Sequence, residues 1–428
     1  MGRLRIALSA EVSPESGVGG VSSVVAGLVA ALGRLDGPEE YLVITSWQSP
    51  AWIAPHLGAN QRLVIAPRPL QDRAKALLGG LRPAAARLRR RVVRTMAAPR
   101  PVRVPVSDGF YEGLSCQVIH FPFQVFAICA LPTIYNPHDL QHLHHPEFFS
   151  PGVLAWRTTV YPAGCRAAHT VVVASEWVKE DVLRHFEIPR EKVQVIPWAP
   201  PTQVHRPPTD EDLAEARGTY GLTEPFAFYP SVTWPHKNHL RLLEALARLR
   251  DREQLRVRLV CTGFKNDHWP VIERRIEALR LGGQVQFLGV VPALHLRALY
   301  RLAQFVVIPT LFEAASGPLM EAWEDGAPVA CSNVTSLPEQ AADAALLFDP
   351  LSVDVIARAV ARMATDPGLR ADLVRRGARR LRDFSWERTA KAYRAVYRRA
   401  AGRPLTEEDR WLLSWNWMRE PTASGPPS

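Results

Sequence analysis

The chain has 428 residues, of which 47% are hydrophobic and 22% charged, and it carries a net charge of +10. This length predicts two domains, and the composition is that of a soluble globular protein that can bury a large core. Five cysteines without C-x-x-C spacing argue against a disulfide framework and against a zinc site, and they favour a reducing compartment. The positive charge indicates acidic partners: nucleic acid, phosphate-bearing ligands or an anionic membrane surface.

The N-terminus, MGRLRIALSA, has an apolar run too short for a signal peptide and is predicted as a first strand. A glycine-rich sequence follows, with Gly17, Gly19 and Gly20 before a helical pattern. Glycine lets the backbone approach a ligand closely, and a helix N-terminus offers N–H groups to phosphate. The spacing is neither G-x-G-x-x-G nor that of a Walker motif, so a plain strand-to-helix turn fits it equally well.

Short apolar runs alternate with helical patterns along the whole chain. Those before Pro197 are LRIALSA, YLVITS, RLVIAP, QVIHFP, PTIYN, TVVVAS and VQVIPW, and those after it are FAFYPS, RVRLVCTG, VQFLGVV, FVVIPT and PVACSN. Unbroken apolar strands separated by helices indicate parallel sheets covered on both faces. The proline-rich stretch 197–208 separates the two series. The predicted fold is therefore α/β, with two doubly wound Rossmann-like domains and a ligand-binding cleft at the carboxyl ends of their strands.

Much of the positive charge lies between Arg82 and Arg103. No Asp or Glu occurs from Ala74 to Ser107, and the sequence AAARLRRRVVRTMAA can form a basic amphipathic helix. Three interpretations stay open: a solvated helix or loop, a surface that docks on an anionic membrane, and a nucleic-acid site. The last is disfavoured because no aromatic platform accompanies the arginines, so we expect no nucleic-acid partner. The expected location is cytoplasmic, with peripheral association at the inner face of a membrane as an open alternative.

The sequence YNPHDLQHLHHPEFF contains three histidines that suggest a metal site: His138, His142 and His145. Prolines on both sides interrupt any single helix, and no carboxylate or cysteine has zincin spacing, so metal binding is disfavoured. The favoured interpretation places His138 at the carboxyl end of a strand. There it could donate a hydrogen bond to an anionic or hydroxyl-rich ligand in the cleft.

Two further patterns follow the proline-rich stretch. Asp210 and Asp212 form a D-x-D pattern that can hold a metal beside a diphosphate, but Thr209 and Asp212 also resemble a helix capping box, and we favour that structural interpretation. Lys237 comes after the first strand of the second half, at a predicted helix start. This position would point a cation to where a diphosphate lies over the strand ends.

The sequence FEAASGPLMEAWEDG places two glutamates around a predicted helix start. Glu313 follows the apolar run FVVIPT, Pro318 suits the first helical turn, and Glu321 lies about one turn into the helix. The helix N-terminus between them would favour an anionic group. Since carboxylates accept hydrogen bonds and repel phosphate, the two glutamates are best explained if they bind hydroxyls at both ends of a sugar diphosphate.

These residues resemble the retaining glycosyltransferases of the GT-B fold, specifically glycosyltransferase family 4. That family carries an E-x7-E motif, typically E-G-F-G-L-P-x-L-E, and this chain has EAASGPLME with Ser316 in place of a glycine. The resemblance extends to SVTWPHKNH, TSLPEQAADAALLFDP and HDLQHLHHPEFF. It spans the chain from about residue 5 to about residue 400.

The resemblance implies catalytic roles for three residues. Glu313 would contact hydroxyls of the donor sugar, Lys237 would neutralise the diphosphate leaving group, and His138 would lie near the reacting centre. Many family members carry an arginine about five residues before the lysine, where this chain has Val232. The charge of the leaving group would then rest on Lys237, the helix N-terminus and a basic residue from elsewhere.

The resemblance also implies donor-binding residues. They would hold the ribose, shape the cleft or offer backbone N–H groups to the phosphates, and they are Glu321, Ser316, Gly317, Leu319, Gly19 and Gly20. An acceptor-binding domain over residues 1–203 and a nucleotide-sugar-binding domain over 204–385 are expected. Residues 386–428 would form a helix that crosses back, followed by a tail with Trp411, Trp415 and Trp417 that ends in a Pro/Ser/Gly-rich stretch expected to be disordered.

The expected reaction is metal-independent transfer of a mannose-like sugar, with retention, from a nucleoside-diphosphate sugar to a glycan or lipid-linked acceptor in polysaccharide biosynthesis. No cofactor is expected beyond this donor. Stabilising the departing diphosphate would lower much of the barrier. No carboxylate is placed as a nucleophile of the hydrolase type, so a front-face mechanism is favoured. Two alternatives stay open: a non-catalytic binding or assembly protein, and a sugar-nucleotide epimerase or phosphorylase of the same fold.

Overall fold

The computed structural model describes residues 2–12, 19–67 and 101–418 of the chain. In this part, a sheet of seven strands is followed along the sequence by a sheet of six. The predicted α/β class with two doubly wound sheets is confirmed. Gly17, the arginines from Arg82 to Arg100 and the tail beyond residue 418 lie outside the described residues, so the interpretations of these segments stay predictions.

The first sheet contains the apolar runs that precede Pro197. Its strands are β1 (Arg5–Ser9), β2 (Glu40–Thr45), β3 (Gln61–Ile65), β4 (Val118–Phe121), β5 (Thr133–Tyr135), β6 (Thr170–Val173) and β7 (Val193–Val195). Their order is β3-β2-β1-β4-β5-β6-β7, with parallel neighbours throughout. β4 is buried along its whole length, as expected for a strand with helices on both faces.

The second sheet contains the apolar runs that follow the prolines. Its strands are β8 (Phe226–Pro230), β9 (Arg258–Thr262), β10 (Val285–Phe287), β11 (Phe305–Ile308), β12 (Val329–Ser332) and β13 (Leu346–Phe348). Their order is β10-β9-β8-β11-β12-β13, again parallel. β13 is not evident from the sequence, because the alanine-rich segment 341–345 runs into it without a turn signal that would separate a strand.

Helices connect most of these strands. In chain order they are α1 (Gly19–Gly33), α2 (Gln141–His144), α3 (Pro151–Ala167), α4 (Glu176–Phe186), α5 (Asp210–Tyr220), α6 (His239–Glu253), α7 (Trp269–Ala278), α8 (Ala293–Leu302), α9 (Gly317–Glu324), α10 (Leu337–Ala341), α11 (Val353–Thr365), α12 (Pro367–Leu381), α13 (Trp386–Ala400) and α14 (Glu407–Ser414). At the start of α5, Thr209 and Asp212 form a capping box, which confirms the structural interpretation of the D-x-D pattern. Within the described ranges, no helix is both long and apolar enough to cross a membrane.

The C-terminal helix α13 returns to the first half of the molecule. It packs on α1, where Gly27 leaves the space that the Trp386 indole fills: a Cβ at Gly27 would lie 2.2 Å from this ring. The Tyr397 hydroxyl hydrogen-bonds His120 Nδ1 at 2.8 Å, and the Thr389 hydroxyl donates to the carbonyl of Pro197 at 2.7 Å. α13 therefore ties the second half of the chain to β4 and to the linker.

The strand order of both sheets predicts where a ligand binds. In the first sheet the order reverses between β1 and β4, and in the second between β8 and β11. Ligands of such sheets bind at these reversal points, outside the carboxyl ends of the strands. α1 follows β1, Lys237 follows β8 and Glu313 follows β11, so the topology brings the predicted site residues to these edges.

Candidate active site

A cavity of about 730 Å³ lies between the two halves of the molecule. Its walls come from the start of α1, the loops after β4 and β5, the linker, and the loops after β8, β9 and β11. Six of the nine predicted site residues line it: Gly20, His138, Lys237, Glu313, Gly317 and Glu321. Nearby, the Ser175 hydroxyl donates to the carbonyl of Ala314 at 2.9 Å, which joins α4 of the first half to the Glu313 loop of the second.

Lys237 and Glu313 form an ion pair in the wall of the cavity. The Lys237 Nζ lies 2.5 Å from the Glu313 Oε1, and the two side chains are only 20% and 12% exposed. Asn238 adopts a left-handed conformation and donates to the carbonyls of Pro309 and Pro350, both at 2.9 Å. It thereby fixes the lysine turn against the loop that carries Glu313. Sequence reasoning assigned the two charges to different parts of a ligand and did not foresee that they pair with each other.

The backbone of Glu313 is held by two hydroxyls. The Thr335 Oγ1 and the Ser336 Oγ donate to its carbonyl at 2.6 and 2.9 Å, and its own N–H donates to Thr335 Oγ1 at 3.0 Å. Both residues come from the segment TSLPEQAADAALLFDP, which sequence reasoning used only as a sign of resemblance. The segment therefore positions one of the predicted catalytic carboxylates.

Glu321 is a buried carboxyl at the far side of α9 from Glu313. It is 8% exposed and accepts a hydrogen bond from the Tyr300 hydroxyl of α8 at 2.7 Å. Burial raises the pKa of Glu321 to about 7, and the negative charge of Asp325 contributes to the increase. The hydrogen bond from Tyr300 and the positive charge of Arg297 act in the opposite direction. The group therefore changes its protonation state near neutral pH.

A buried ion pair between Arg297 and Asp325 lies close enough to Glu321 to affect its pKa. The Arg297 guanidinium donates twice to Asp325, at 3.0 Å for each bond, and both side chains are almost fully buried. Sequence reasoning missed Tyr300, Arg297 and Asp325. The available signal was an arginine on the apolar side of the helical pattern HLRALYRLA, since a buried arginine requires a partner.

The N-terminus of α9 presents Gly317 to the cavity, while Ser316 and Leu319 lie behind the wall. The Ser316 side chain is fully buried and accepts from the Leu319 N–H at 3.4 Å as the helix cap. The backbone of Ser316 is clamped by Gln340, which accepts from its N–H at 2.7 Å and donates to its carbonyl at 3.1 Å. In this arrangement Ser316 shapes the helix start, and the Leu319 N–H already has an acceptor.

His138 lines the cavity in a left-handed conformation with φ of 63°. Its Nε2 lies 2.9 Å from the carbonyl oxygen of Pro122, which can only accept, so Nε2 carries the hydrogen. Burial lowers the pKa of His138, which favours the neutral ring. The expectation that His138 donates to a ligand therefore changes: the ring nitrogen left for a ligand is Nδ1, which accepts.

Among the described residues, His142 and His145 form no metal-binding group with His138. His142 is buried, both of its ring nitrogens lack a partner in the described part of the chain, and burial lowers its pKa to about 4. His145 instead pairs with Glu147 at 3.1 Å. Of the glycines, Gly20 lines the cavity and Gly19 is the first residue of α1.

Two further residues of the segment that carries His138 line the cavity and were not predicted from the sequence: Asp139 and Gln141. Gln141 is 6% exposed, and its amide Nε2 has no partner among the described residues. Asp139 accepts from the Arg157 guanidinium at 2.9 Å and from the backbone N–H of Gln141 at 3.0 Å. A buried amide donor that faces a cavity without a partner is available to a ligand oxygen.

Two parallel sheets with a cleft at their strand-order reversals define the class of the fold, which is GT-B. The structure matches sucrose-phosphate synthase from Thermosynechococcus elongatus with a TM-score of 0.66 and 21% identity, over 93% of this chain and 99% of that one. It matches Anabaena HepE in complex with UDP and glucose with a TM-score of 0.65 and 16% identity, over 92% and 99%. At these identities the likeness shows the fold.

Sequence comparison gives the family. The model described as Glycosyltransferase Family 4 matches residues 18–204, and the model described as Glycosyl transferases group 1 matches residues 214–380, together more than four fifths of the chain. The protein belongs to glycosyltransferase family 4, group 1, and is a glycosyltransferase.

Among curated relatives, O-antigen chain mannosyltransferase B from Escherichia coli is 28% identical over 60% of this chain and 69% of its own length. D-inositol 3-phosphate glycosyltransferase from Corynebacterium glutamicum is 28% identical over 54% of this chain and 57% of its own length. MMP alpha-(1->4)-mannosyltransferase from Mycolicibacterium hassiacum is 29% identical over 52% of this chain and 52% of its own length.

Proposed function

We propose that the protein transfers mannose, with retention, from a nucleoside-diphosphate mannose to a hydroxyl of a glycan or lipid-linked glycan during polysaccharide synthesis. The observation that carries the proposal is the cavity wall in which the Lys237–Glu313 pair and the buried Glu321 flank the start of α9. The sugar is suggested by mannosyltransferases among the relatives, one of them an O-antigen chain enzyme. A nucleotide donor is suggested by the UDP in the Anabaena complex.

In the proposed complex the diphosphate lies at the start of α9, where the helix dipole and the Gly317 backbone favour negative charge. The ammonium group of Lys237 leaves Glu313 and binds the phosphate oxygens instead. Glu313 is thereby released to accept hydrogen bonds from hydroxyls of the donor sugar. On the other side of the helix start, Glu321 accepts from the ribose hydroxyls as a carboxylate, a state that its raised pKa makes dependent on pH.

The bond changes of the proposed step balance without a cofactor. The bond between the anomeric carbon and the diphosphate oxygen breaks, and the electron pair stays with the nucleoside diphosphate. The acceptor hydroxyl oxygen bonds to the anomeric carbon on the face that the diphosphate leaves, and its proton passes to a departing phosphate oxygen. Lys237 and the N–H groups at the start of α9 stabilise the negative charge that develops on the leaving group.

Metal independence is part of the proposal. The cation beside the expected diphosphate is Lys237, and the D-x-D carboxylate Asp212 is engaged by Arg206 and by the cap of α5. The acceptor would enter from the first half of the molecule, past Gln141 and Asp139. A neighbouring hydroxyl of the acceptor can donate to the Nδ1 of His138, which positions the acceptor while the reacting hydroxyl keeps its hydrogen for the departing phosphate oxygen.

A panel of radiolabelled nucleotide sugars, assayed for hydrolysis and transfer with and without EDTA, tests this function. We expect turnover with a mannose donor that EDTA leaves unchanged, and loss of turnover in Lys237→Met. Lys179→Met, on α4 outside the cavity, is the matched control and should retain activity. Absence of binding and turnover with every nucleotide sugar would overturn the proposal. Turnover that EDTA abolishes and that Mg²⁺ or Mn²⁺, but not Zn²⁺, restores would overturn its metal independence.

A further inference from the structure

Outside the cavity, three side chains with metal-binding atoms meet between α2 and α4. They are His144, the last residue of α2, and Asp181 and His185, one turn apart on α4. Their ligand atoms all lie within 4.8 Å of one another. The His144 Nε2 is 2.9 Å from both carboxylate oxygens of Asp181. The His185 Nδ1 is 3.3 Å from one of them and donates to the backbone carbonyl of Asp181 at 2.8 Å, so His185 must coordinate through Nε2 or give up this bond. None of the three residues lines the cleft.

The carboxylate at the centre of this cluster has an unusual environment. Asp181 is 1% exposed, and in the described part of the chain its ion-pair partners are the two histidines, with no lysine or arginine within 4 Å. A buried carboxylate is costly unless positive charge compensates it. A cation between the three side chains would compensate this carboxylate.

We propose that His144, Asp181 and His185 bind a divalent transition-metal ion, with Zn²⁺ the best match. Two imidazoles and one carboxylate form a nitrogen- and oxygen-rich set that suits Zn²⁺, whereas Mg²⁺ and Ca²⁺ prefer oxygen ligands alone. Asp181 and His185 are four residues apart, so they project from one face of α4. The cysteine count argues only against a thiolate site and leaves this ligand set open.

The geometry requires small movements. Neighbouring ligand atoms of a tetrahedral zinc ion stand ~3.3 Å apart, whereas the hydrogen-bonded atoms of His144 and Asp181 are 2.9 Å apart. The ligand atoms all lie within 4.8 Å of one another, so the most distant ones must approach by up to ~1.5 Å to reach such a geometry. Both histidine side chains are about 30% exposed, so they can adjust, admit the ion from solvent and leave a coordination position for water.

Bound metal would brace the segment that carries the acceptor-side residues. It would link α2, whose first residue is Gln141, to α4. The His144 ring also packs against Phe312, with centroids 5.5 Å apart, and Phe312 directly precedes Glu313. The ion would therefore stabilise one wall of the cleft without touching substrate, and the inference stands independently of the proposed sugar transfer.

Co²⁺ is a suitable probe because it replaces Zn²⁺ and absorbs visible light in such a site. Full-length protein is freed of metal with a chelator, dialysed, and titrated with Co²⁺ and then with Zn²⁺. We expect a visible absorption band that saturates at one Co²⁺ per chain and that Zn²⁺ abolishes. Either ion should also raise the melting temperature. The affinity should fall at least tenfold in His144→Gln and in His185→Gln.

His145→Gln is the matched control, since it removes the neighbouring histidine, which pairs with Glu147 outside the cluster. It should bind Co²⁺ as the unmodified protein does. The side chains of His144 and His185 are about 30% exposed, so replacing either should leave the fold intact. The circular dichroism of both variants should match that of the unmodified protein. No band and no thermal shift at millimolar Co²⁺ would overturn the proposal, and so would a saturating band that survives in both cluster variants.

Discussion

At the residue scale, the Lys237–Glu313 pair is the central feature of the candidate site. Each side chain is the other's counter-charge at a partly buried position, with Nζ and Oε1 2.5 Å apart. Removing one partner leaves the other charge partly desolvated and unpaired. The effects of the two removals on turnover should therefore be coupled.

We expect Glu313→Gln to lower kcat by on the order of 100-fold, a size typical for loss of one group that stabilises a transition state. Its free energy of unfolding should fall, because Lys237 loses its counter-charge, but by less than the ~2.7 kcal/mol that a 100-fold loss of kcat represents, because glutamine keeps the shape and the backbone bonds to Thr335 and Ser336. Glu273→Gln, an exposed change on α7, serves as the control. Steady-state kinetics beside urea unfolding check this, and equal losses of activity and stability would contradict the role.

The double variant Lys237→Met with Glu313→Gln should lose less activity than the product of the single losses, because the two groups act as a unit. Kinetics of all four proteins give the coupling directly. Strict multiplication of the two effects would show that the pair has no functional meaning.

Glu321 predicts a pH dependence of donor binding. Its pKa, raised by burial from an ordinary 4.5 to about 7, means that the folded protein holds a proton between these values that the unfolded chain has lost. Its contribution to stability therefore falls as pH rises through that window. The proposed ribose contact needs the carboxylate, so donor affinity should fall about tenfold from pH 8 to pH 6.

Calorimetric titration with a nucleoside-diphosphate sugar, whose phosphates stay ionised in this range, measures that affinity. Glu321→Gln should bind more weakly at pH 8 and show a flatter pH profile. The same slope in the variant and in the unmodified protein would place the titrating group elsewhere.

At the element scale, segments with a clear boundary and an unbroken pattern were predictable. Buried parallel strands give continuous apolar runs, so twelve of the thirteen described strands can be found by that signal alone. α3 contains Pro162 within its length, which obscures a helical pattern. β13 is no shorter than β5, β7 or β10, but an alanine-rich segment runs into it without a turn signal, and it is positioned by pairing with β12.

The contact between α1 and α13 makes a prediction about stability. At Gly27 an added methyl group would meet the Trp386 indole, whose Nε1 is fixed to the carbonyl of Pro200 at 3.0 Å. Gly27→Ala should therefore destabilise the protein by about 1–3 kcal/mol. Gly218→Ala, a helical glycine with open space around it, should be neutral or stabilising by about 0.5–1 kcal/mol. Urea unfolding of both variants decides this, and equal midpoints would contradict the packing argument.

At the scale of the whole molecule, strand order determines where the cleft lies, and tertiary packing determines what its residues do. The order reversals of the two sheets place the loops after β1, β8 and β11 at facing edges, which the alternation of strands and helices already indicated. The pairing of Lys237 with Glu313 and the orphaned amide of Gln141 depend on packing between distant segments. No local pattern records such contacts, so they could not be read from the sequence.

We propose above all that this cleft transfers a sugar with retention at its anomeric carbon. The most direct measurement is NMR of the first product formed from a nucleoside-diphosphate mannose labelled with ¹³C at that carbon, before the free sugar equilibrates. The one-bond C–H coupling reports the configuration at that carbon. Retaining transfer predicts the same anomeric configuration in product and donor, and a product with inverted configuration would contradict it.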